Sequence, residues 1–280
     1  MTNPLPLSPT IRLANGVPMP QIGLGTWPMK DAEAATAVRS ALQQGYRLVD
    51  TAENYGNETG VGEGLRSAGV PRAELFVTSK FNRNWHSVDG VRQAAEASLK
   101  RLGLDYLDLF LIHWPNPEQD RYVEAFEGLM RLVESGLVRA AGTSNFKTTH
   151  LQRLLDAGFV PHLNQIQLDP YHRRDDILAL HRAHGIATGS WGPIGRGRSG
   201  LLADPVVQAI ARAHGRDPAQ IALRWHVQSG HVAIPKSIDP ARQAVNLQVF
   251  DFALSEADMA QLNGLDRPDP AMLDADSFGH

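Results

Sequence analysis

Four side chains in the N-terminal half have the types and spacing for proton transfer to a carbonyl group. Asp50 closes the apolar run "RLVDTA", Lys80 closes "LFVTSK" and His113 closes "LDLFLIHW". The intervals of 30 and 33 residues each equal one strand–helix unit. Tyr55 sits in the acidic loop "AENYGNE" just beyond Asp50. A tyrosine titrates near pH ~10 and is a poor acid at neutral pH unless tuned. A nearby ammonium favours the phenolate, and a carboxylate beside the ammonium keeps it charged. A histidine hydrogen-bonds a carbonyl oxygen or relays a proton. The reaction that needs a tyrosine acid at a carbonyl is reduction by hydride, and the hydride must come from a cofactor. Singly, each residue has an ordinary explanation: Asp50 caps a turn, Lys80 is a solvated strand end, His113 is a hydrogen-bonded core residue. The functional reading depends on all four meeting.

The chain supplies elements that would bring them together. Eight short apolar runs, each finishing on polar residues, alternate with amphipathic helix-period segments: "QIGLGT", "RLVDTA", "LFVTSK", "LDLFLIHW", "VRAAGTSN", "LNQIQLD", "GIATGSW" and "HVAIPKS". Alternation of this kind implies parallel strands and right-handed crossovers. Eight units favour a closed (β/α)8 TIM barrel, with an open doubly wound sheet as the alternative. A barrel gathers its strand C-termini on one face, where neighbouring strands lie only ~4.8 Å apart. Three pieces stand outside the repeat. "TIRLANGVPMP" carries Asn15-Gly16 between apolar runs, a β-hairpin signal, and is placed to plug the barrel bottom. "DPVVQAIARAHG" and "SEADMAQLNGL" read as extra peripheral helices. With no linker in evidence, residues 1–280 are expected to form one domain.

Composition narrows the function classes. The 280 residues are 42% hydrophobic, enough for a large core, and the net charge of −3 is spread along the chain. No basic run suggests nucleic acid or an anionic membrane as partner. The absence of cysteine excludes disulfides and thiolate metal sites. No signal peptide is recognisable at the N-terminus, and no apolar run approaches the ~20 residues of a spanning helix, so a cytoplasmic location is expected. The segment "RPDPAMLDADSFGH" reads as a polar surface tail.

The motifs "GLGTW", "DTAENYGNE", "TSK", "LFLIHWP", "GTSNF", "NQIQLDPYH", "SWGPIGRG" and "IPKSIDPARQAVN" occur in order along nearly the whole chain. Together they resemble the aldo-keto reductases, and "SWGP" and "LRWHVQSG" most resemble the prokaryotic branch that includes 2,5-diketogluconate reductase. The resemblance implies NADPH-dependent reduction of aldehydes and ketones to alcohols by a monomeric enzyme. It implies a catalytic tetrad at Asp50, Tyr55, Lys80 and His113, with Tyr55 as general acid, Lys80 salt-bridged to Asp50, and His113 orienting the carbonyl. It assigns the nicotinamide end of the cofactor to Gly25, Thr26, Trp27, Asp50, Ser144, Asn145 and Gln165, with Trp191 as a stacking face. Gly192, Pro193, Ile194 and Gly195 follow in a loop over the pyrophosphate, which Arg196 and Arg198 would assist. Lys236, Ser237 and Arg242 would hold the 2′-phosphate that selects NADP(H), and Asn246 the adenine. Val245 departs from the family's Glu or Gln, removing one adenine hydrogen bond.

On the substrate side the resemblance points to Trp27, His113 and Trp114 as pocket walls. Asn82 stands where an aromatic residue is usual, so either Trp85 substitutes for it or the pocket is more polar and open. The C-terminal tail is expected to complete the pocket, with Phe278 as a further contact candidate. "GRGRSG", at 195–200, matches G-x-G-x-x-G but comes late and is followed by "LLAD" rather than a helix, so it is not a dinucleotide-binding turn. Two other functions compete. A barrel that senses nicotinamide redox state with little turnover, like the potassium-channel β subunits, would not need the full tetrad. A metal-dependent hydrolase using Asp50 and His113 would need a cluster of further ligands, for which His172 is a second histidine candidate without an evident third.

Overall fold

The computed structural model describes residues 8–197, 199–269 and 272–280. Strands β1 (Thr10–Arg12) and β2 (Pro18–Pro20) form the expected antiparallel hairpin, with Ile11 opposite Met19. Eight parallel strands follow: β3 (Leu24–Gly25), β4 (Leu48–Asp50), β5 (Phe76–Phe81), β6 (Leu109–Ile112), β7 (Ala141–Ser144), β8 (Leu163–Gln167), β9 (Ala187–Trp191) and β10 (Val232–Ile234). They pair in sequence order from β3 to β10. A parallel bridge between Ile22 and Ala233, with Gly23 N–H donating to Ala233 O at 3.0 Å and Gly25 N–H to Pro235 O at 3.1 Å, closes the ring.

Helices α1 (Asp31–Gln43), α2 (Glu58–Ser67), α3 (Val88–Leu102), α4 (Tyr122–Glu134), α5 (Thr148–Asp156) and α6 (Asp175–His184) succeed the first six barrel strands. After β9 comes α7 (Pro205–His214), one of the two extra helices, and then α8 (Pro218–Gln228). After β10 come α9 (Pro240–Leu247) and the second extra helix, α10 (Glu256–Asn263). Starts are set by side-chain caps: the Ser87 hydroxyl accepts from Gly90 N–H, and the Asp217 and Asp239 carboxylates accept from Ala219 and Ala241. Helix α2 lies tightly on α1 because Gly60 has no side chain; a Cβ there would be 2.1 Å from Asp31 O. Among the described residues no helix is long and apolar enough to cross a membrane.

Period-two alternation divides the core. In β6, Phe110 and Ile112 face the helix ring, while Leu109 and Leu111 face the barrel axis. The inner cluster adds Leu48, Phe76, Ala140, Leu163, Val232 and Ile234, and is capped below by Leu13 and Met19 of the hairpin. The hairpin is pinned by Asn15 Nδ2 donating to Arg139 O at 2.9 Å. With the bottom plugged by apolar side chains, inward-facing polar groups collect at the strand C-termini.

Candidate active site

Parallel register brings the four residues together. Asp50 pairs with Thr78 across β4 and β5, and Lys80 with Leu111 across β5 and β6, so β4, β5 and β6 deliver Asp50, Lys80 and His113 to one rim. Lys80 is fully buried; its Nζ donates to Asp50 Oδ1 at 2.5 Å, to Thr51 O at 3.0 Å and to Tyr55 Oη at 3.4 Å. Asp50 is buried too, and its other oxygen accepts from Gln165 Nε2 at 2.7 Å. The Tyr55 ring meets the His113 ring edge-on, centroids 5.7 Å apart.

The loop carrying Tyr55 is fixed from three sides. Residues 53–55 form a single 3-10 turn ending at Gly56, in left-handed conformation. Asn57, fully buried, accepts from Thr51 Oγ1 at 2.8 Å and donates to Thr26 O and Met29 O, tying the loop to the first barrel unit. Glu53 accepts from the Asn82 backbone N–H at 3.3 Å and from Trp85 Nε1 at 3.0 Å, tying it to the loop after β5. Neither Asn57 nor Glu53 was singled out by sequence reasoning, although both lie in "AENYGNE". An amide that bonds two backbone carbonyls leaves no local pattern to find.

Burial sets the protonation states. It raises the Tyr55 pKa; Lys80 pulls the other way and Asp50 adds to the rise, so the net direction is upward. The expected lowering by Lys80 is therefore present but outweighed by loss of water around the phenol. For Lys80, burial disfavours the charge, yet Asp50 and Tyr55 outweigh it and the net shift is upward, which keeps an ammonium in the site. His113 is pushed well below its ordinary value by burial, by Lys80 and by His280, and is a neutral imidazole. Its Nδ1 is buried without a hydrogen-bond partner among the described residues.

Next to the tetrad, β7, β8 and β9 present an amide-rich wall. Asn145, at φ 64°, donates to His113 O and Ser144 Oγ, both at 3.1 Å, and accepts from Trp191 Nε1 at 2.8 Å. Ser144 Oγ donates to Gln165 O at 3.1 Å. Trp191 is thus locked, with the Arg196 guanidinium 5.4 Å from its ring centroid. Gly25 and Thr26 are buried at the end of β3 and Trp27 is 56% exposed on the rim. Pro193 and Gly195 are buried and Gly192 and Ile194 half-buried, and Pro193 O accepts from the buried His226 at 3.1 Å. Arg198 lies outside the described residues.

Beyond β10, Lys236 is exposed, and the Arg242 side chain is 81% exposed with only a 3.8 Å approach to Asp239. The buried Ser237 hydroxyl bonds to Asp239 backbone groups, and Asn246 is buried on α9. The Asp239 carboxylate caps α9, accepting from Ala241 N–H at 2.8 Å and Arg242 N–H at 3.4 Å. Anion attraction there must come from the Lys236 and Arg242 side chains, not from bare backbone N–H groups.

On the outer side, Asn82 Nδ2 donates to Asn54 Oδ1, and Trp85, pinned by Glu53, packs against the helix-side core. Trp114 is buried under Phe278, centroids 4.7 Å apart. The C-terminal segment, polar enough to suggest a surface tail, folds over the barrel mouth. His172 has a carboxylate on each nitrogen, Asp169 at 2.9 Å and Asp269 at 3.1 Å, and the hydrogen bond to Asp169 leads the rise in its pKa. With a carboxylate on each ring nitrogen, His172 has neither nitrogen open to a metal.

Comparison with known proteins agrees with this architecture. The model of the Aldo/keto reductase family matches residues 21–267. Morphine 6-dehydrogenase of Pseudomonas putida is 46% identical over 97% of this chain and 97% of its own. Methylglyoxal reductase DkgA of Escherichia coli is 43% identical over the full length of both. A crystal structure of a Gox0644 mutant in complex with NADPH superposes with a TM-score of 0.92 at 42% identity, covering 98% of this chain and 99% of that one. The chain belongs to the aldo/keto reductase family.

Proposed function

We propose that this protein reduces aldehydes and ketones to alcohols with NADP(H), using Tyr55 as the proton donor. The observation that carries the reading is Lys80 Nζ, held 2.5 Å from Asp50 and 3.4 Å from the Tyr55 hydroxyl beside a neutral His113. The cofactor, when bound, supplies the hydride that reaches the carbonyl carbon. Tyr55 gives its proton to the carbonyl oxygen, completing the C–H and O–H bonds of the alcohol. The raised Tyr55 pKa keeps the phenol protonated and ready at neutral pH. As the proton leaves, Lys80 meets the growing phenolate charge, and Asp50 and Thr51 O keep the ammonium in place. Neutral His113 has one N–H to offer the carbonyl oxygen.

The residues present suit NADP(H). Gln165 Oε1 has no protein partner among the described residues and suits a carboxamide N–H, whereas Asn145 and Ser144 use their hydrogens inside the site. Lys236 and Arg242 are solvated cations free to meet a phosphate. The relatives named for methylglyoxal reduction and morphine 6-dehydrogenation, and the NADPH complex of a structural neighbour, support the same reading. The test is NADPH oxidation with a small aldehyde panel. Wild type should turn over, and Tyr55→Phe should lose about 10²–10⁴-fold in kcat. Equal rates in the two would remove Tyr55 from the proton step, and cofactor binding without turnover in the wild type would favour the redox-sensing barrel.

A further inference from the structure

The loop after β9 carries a turn that is held from behind, by a histidine outside the site. Gly192 and Gly195 lie in the left-handed region, at φ 66° and 80°, and Gly195 N–H donates to Gly192 O at 3.0 Å. Residues 192–195 thus form a β-turn with Pro193 and Ile194 at its centre. Such a turn has two forms that differ by a flip of the central peptide. The Pro193–Ile194 peptide is trans, so its C=O and N–H point opposite ways. The carbonyl points at α8, where the fully buried His226 donates Nε2–H to Pro193 O at 3.1 Å. The Ile194 N–H therefore points away from α8, and it has no hydrogen-bond partner among the described residues. Ile194 is not at positive φ, which the flipped form would require.

The imidazole of His226 is rigidly placed. Its ring stands edge-on to Trp225, centroids 4.8 Å apart, and 6.0 Å from the His231 ring. Trp225 is fixed in turn by its Nε1, which donates to Asn263 Oδ1 on α10 at 2.8 Å. A carbonyl only accepts, so Nε2 carries the proton; burial pushes the His226 pKa down to about 3, which leaves Nδ1 bare. That Nδ1 is buried with no hydrogen-bond partner among the described residues, a cost that an apolar side chain would avoid. Among the described residues, no other side chain hydrogen-bonds to the backbone of residues 192–195. Resting on the NADP(H) reading, we propose that His226 is a positioning residue. By holding Pro193 O it fixes the central peptide of the turn, so that the Ile194 N–H is presented to the cofactor pyrophosphate.

Calorimetric titration of NADPH, NADH and 2′-AMP into wild type, His226→Phe and His226→Gln tests this. 2′-AMP carries the adenosine and the 2′-phosphate but no pyrophosphate, so it does not meet the turn. His226→Phe keeps a ring in place and removes the donor. Kd for NADPH and for NADH should both rise about five- to twentyfold, with Kd for 2′-AMP within about twofold of wild type. His226→Gln puts an amide N–H where Nε2–H stood and should bind both dinucleotides within about twofold of wild type. Damage to the fold alone would weaken 2′-AMP as well. Thermal unfolding establishes that each variant is folded. If His226→Phe is not, His226→Asn, whose amide stops one carbon short, takes its place with the same expectation. A folded variant without the donor that keeps wild-type affinity for both dinucleotides overturns the proposal. So does one that loses 2′-AMP by the same factor, or a His226→Gln as weak as His226→Phe. In those cases NADPH binding by the wild type leaves the NADP(H) reading standing. A wild type that binds neither dinucleotide overturns both.

Discussion

The Asp50–Lys80–Tyr55 cluster and the Lys236–Arg242 segment lie on the same rim of the barrel, joined through the pairing of β3 with the β10 end, and they are built in opposite ways. Lys80 is fully buried and its three hydrogen bonds are all made inside the protein. Arg242 projects into solvent with one loose approach to Asp239. The contrast follows from what the proposed function asks of each group. Moving a proton at neutral pH requires shifted pKa values, and those need burial and fixed partners. Attracting a phosphate requires only a charge of the right sign, and keeping that charge hydrated avoids a desolvation cost. Substitutions in the first region should therefore damage both fold and turnover, while those in the second should change ligand affinity alone.

Asp50→Asn should give the largest effect. Whichever way the amide turns, its NH2 faces a donor, either Lys80 Nζ or Gln165 Nε2. Lys80 also loses the carboxylate that offsets its burial, so its ammonium is disfavoured. Breaking a buried pair from one side costs about 3–5 kcal/mol. Denaturant unfolding should show a loss of that order together with a drop in kcat of about 10²-fold or more. A folded, wild-type-stable Asp50→Asn with full turnover would erase the distinction between the two regions. Arg242→Ala is the complementary case. Its unfolding midpoint should stay within about 0.5 kcal/mol of wild type. NADPH binding, measured by quenching of tryptophan fluorescence, should weaken about 10–100-fold, with NADH binding unaffected. Equal weakening for both cofactors would count against a 2′-phosphate contact.

The two regions also differed in how far they were legible from sequence. Asp50, Lys80 and His113 could be placed together because each closes an apolar run and parallel strands keep sequential neighbours adjacent. The eight-stranded order and the Asn15-Gly16 hairpin were readable from the same kind of local signal. Three features were not, or only in part. The direction of the Tyr55 shift depended on how much water the fold excludes, a three-dimensional sum that Lys80 alone does not predict. The Asp239 cap on α9, which occupies the N–H groups of Ala241 and Arg242, was not read from "PKSIDPARQAVN". The C-terminal segment was legible only in part: Phe278 stood out as a pocket contact, but the contacts with Lys147, Asn116 and Trp114, more than a hundred residues away in sequence, leave no trace in the polar, aperiodic "LDADSFGH".

The smallest expected effect tests whether the solvated region can be improved by addition, which the buried cluster cannot. Val245 is half-buried on α9, one residue before Asn246, and its side chain brings no hydrogen-bonding group to a place where the family usually has Glu or Gln. Its backbone carbonyl already accepts from Gln220 Nε2 at 3.2 Å and Gln248 N–H at 3.1 Å, so a new side chain there leaves those bonds in place. Glutamine is at least as good a helix former as valine. Val245→Gln should leave stability nearly unchanged and add one net hydrogen bond to the adenine, tightening NADPH and NADH alike by about two- to tenfold. That equal gain separates an adenine contact from the phosphate contact of Arg242, whose loss should affect NADPH alone. A gain confined to NADPH, or none for either cofactor, would mean that this turn of α9 does not face the adenine and that the cofactor path over the β10 end must be redrawn.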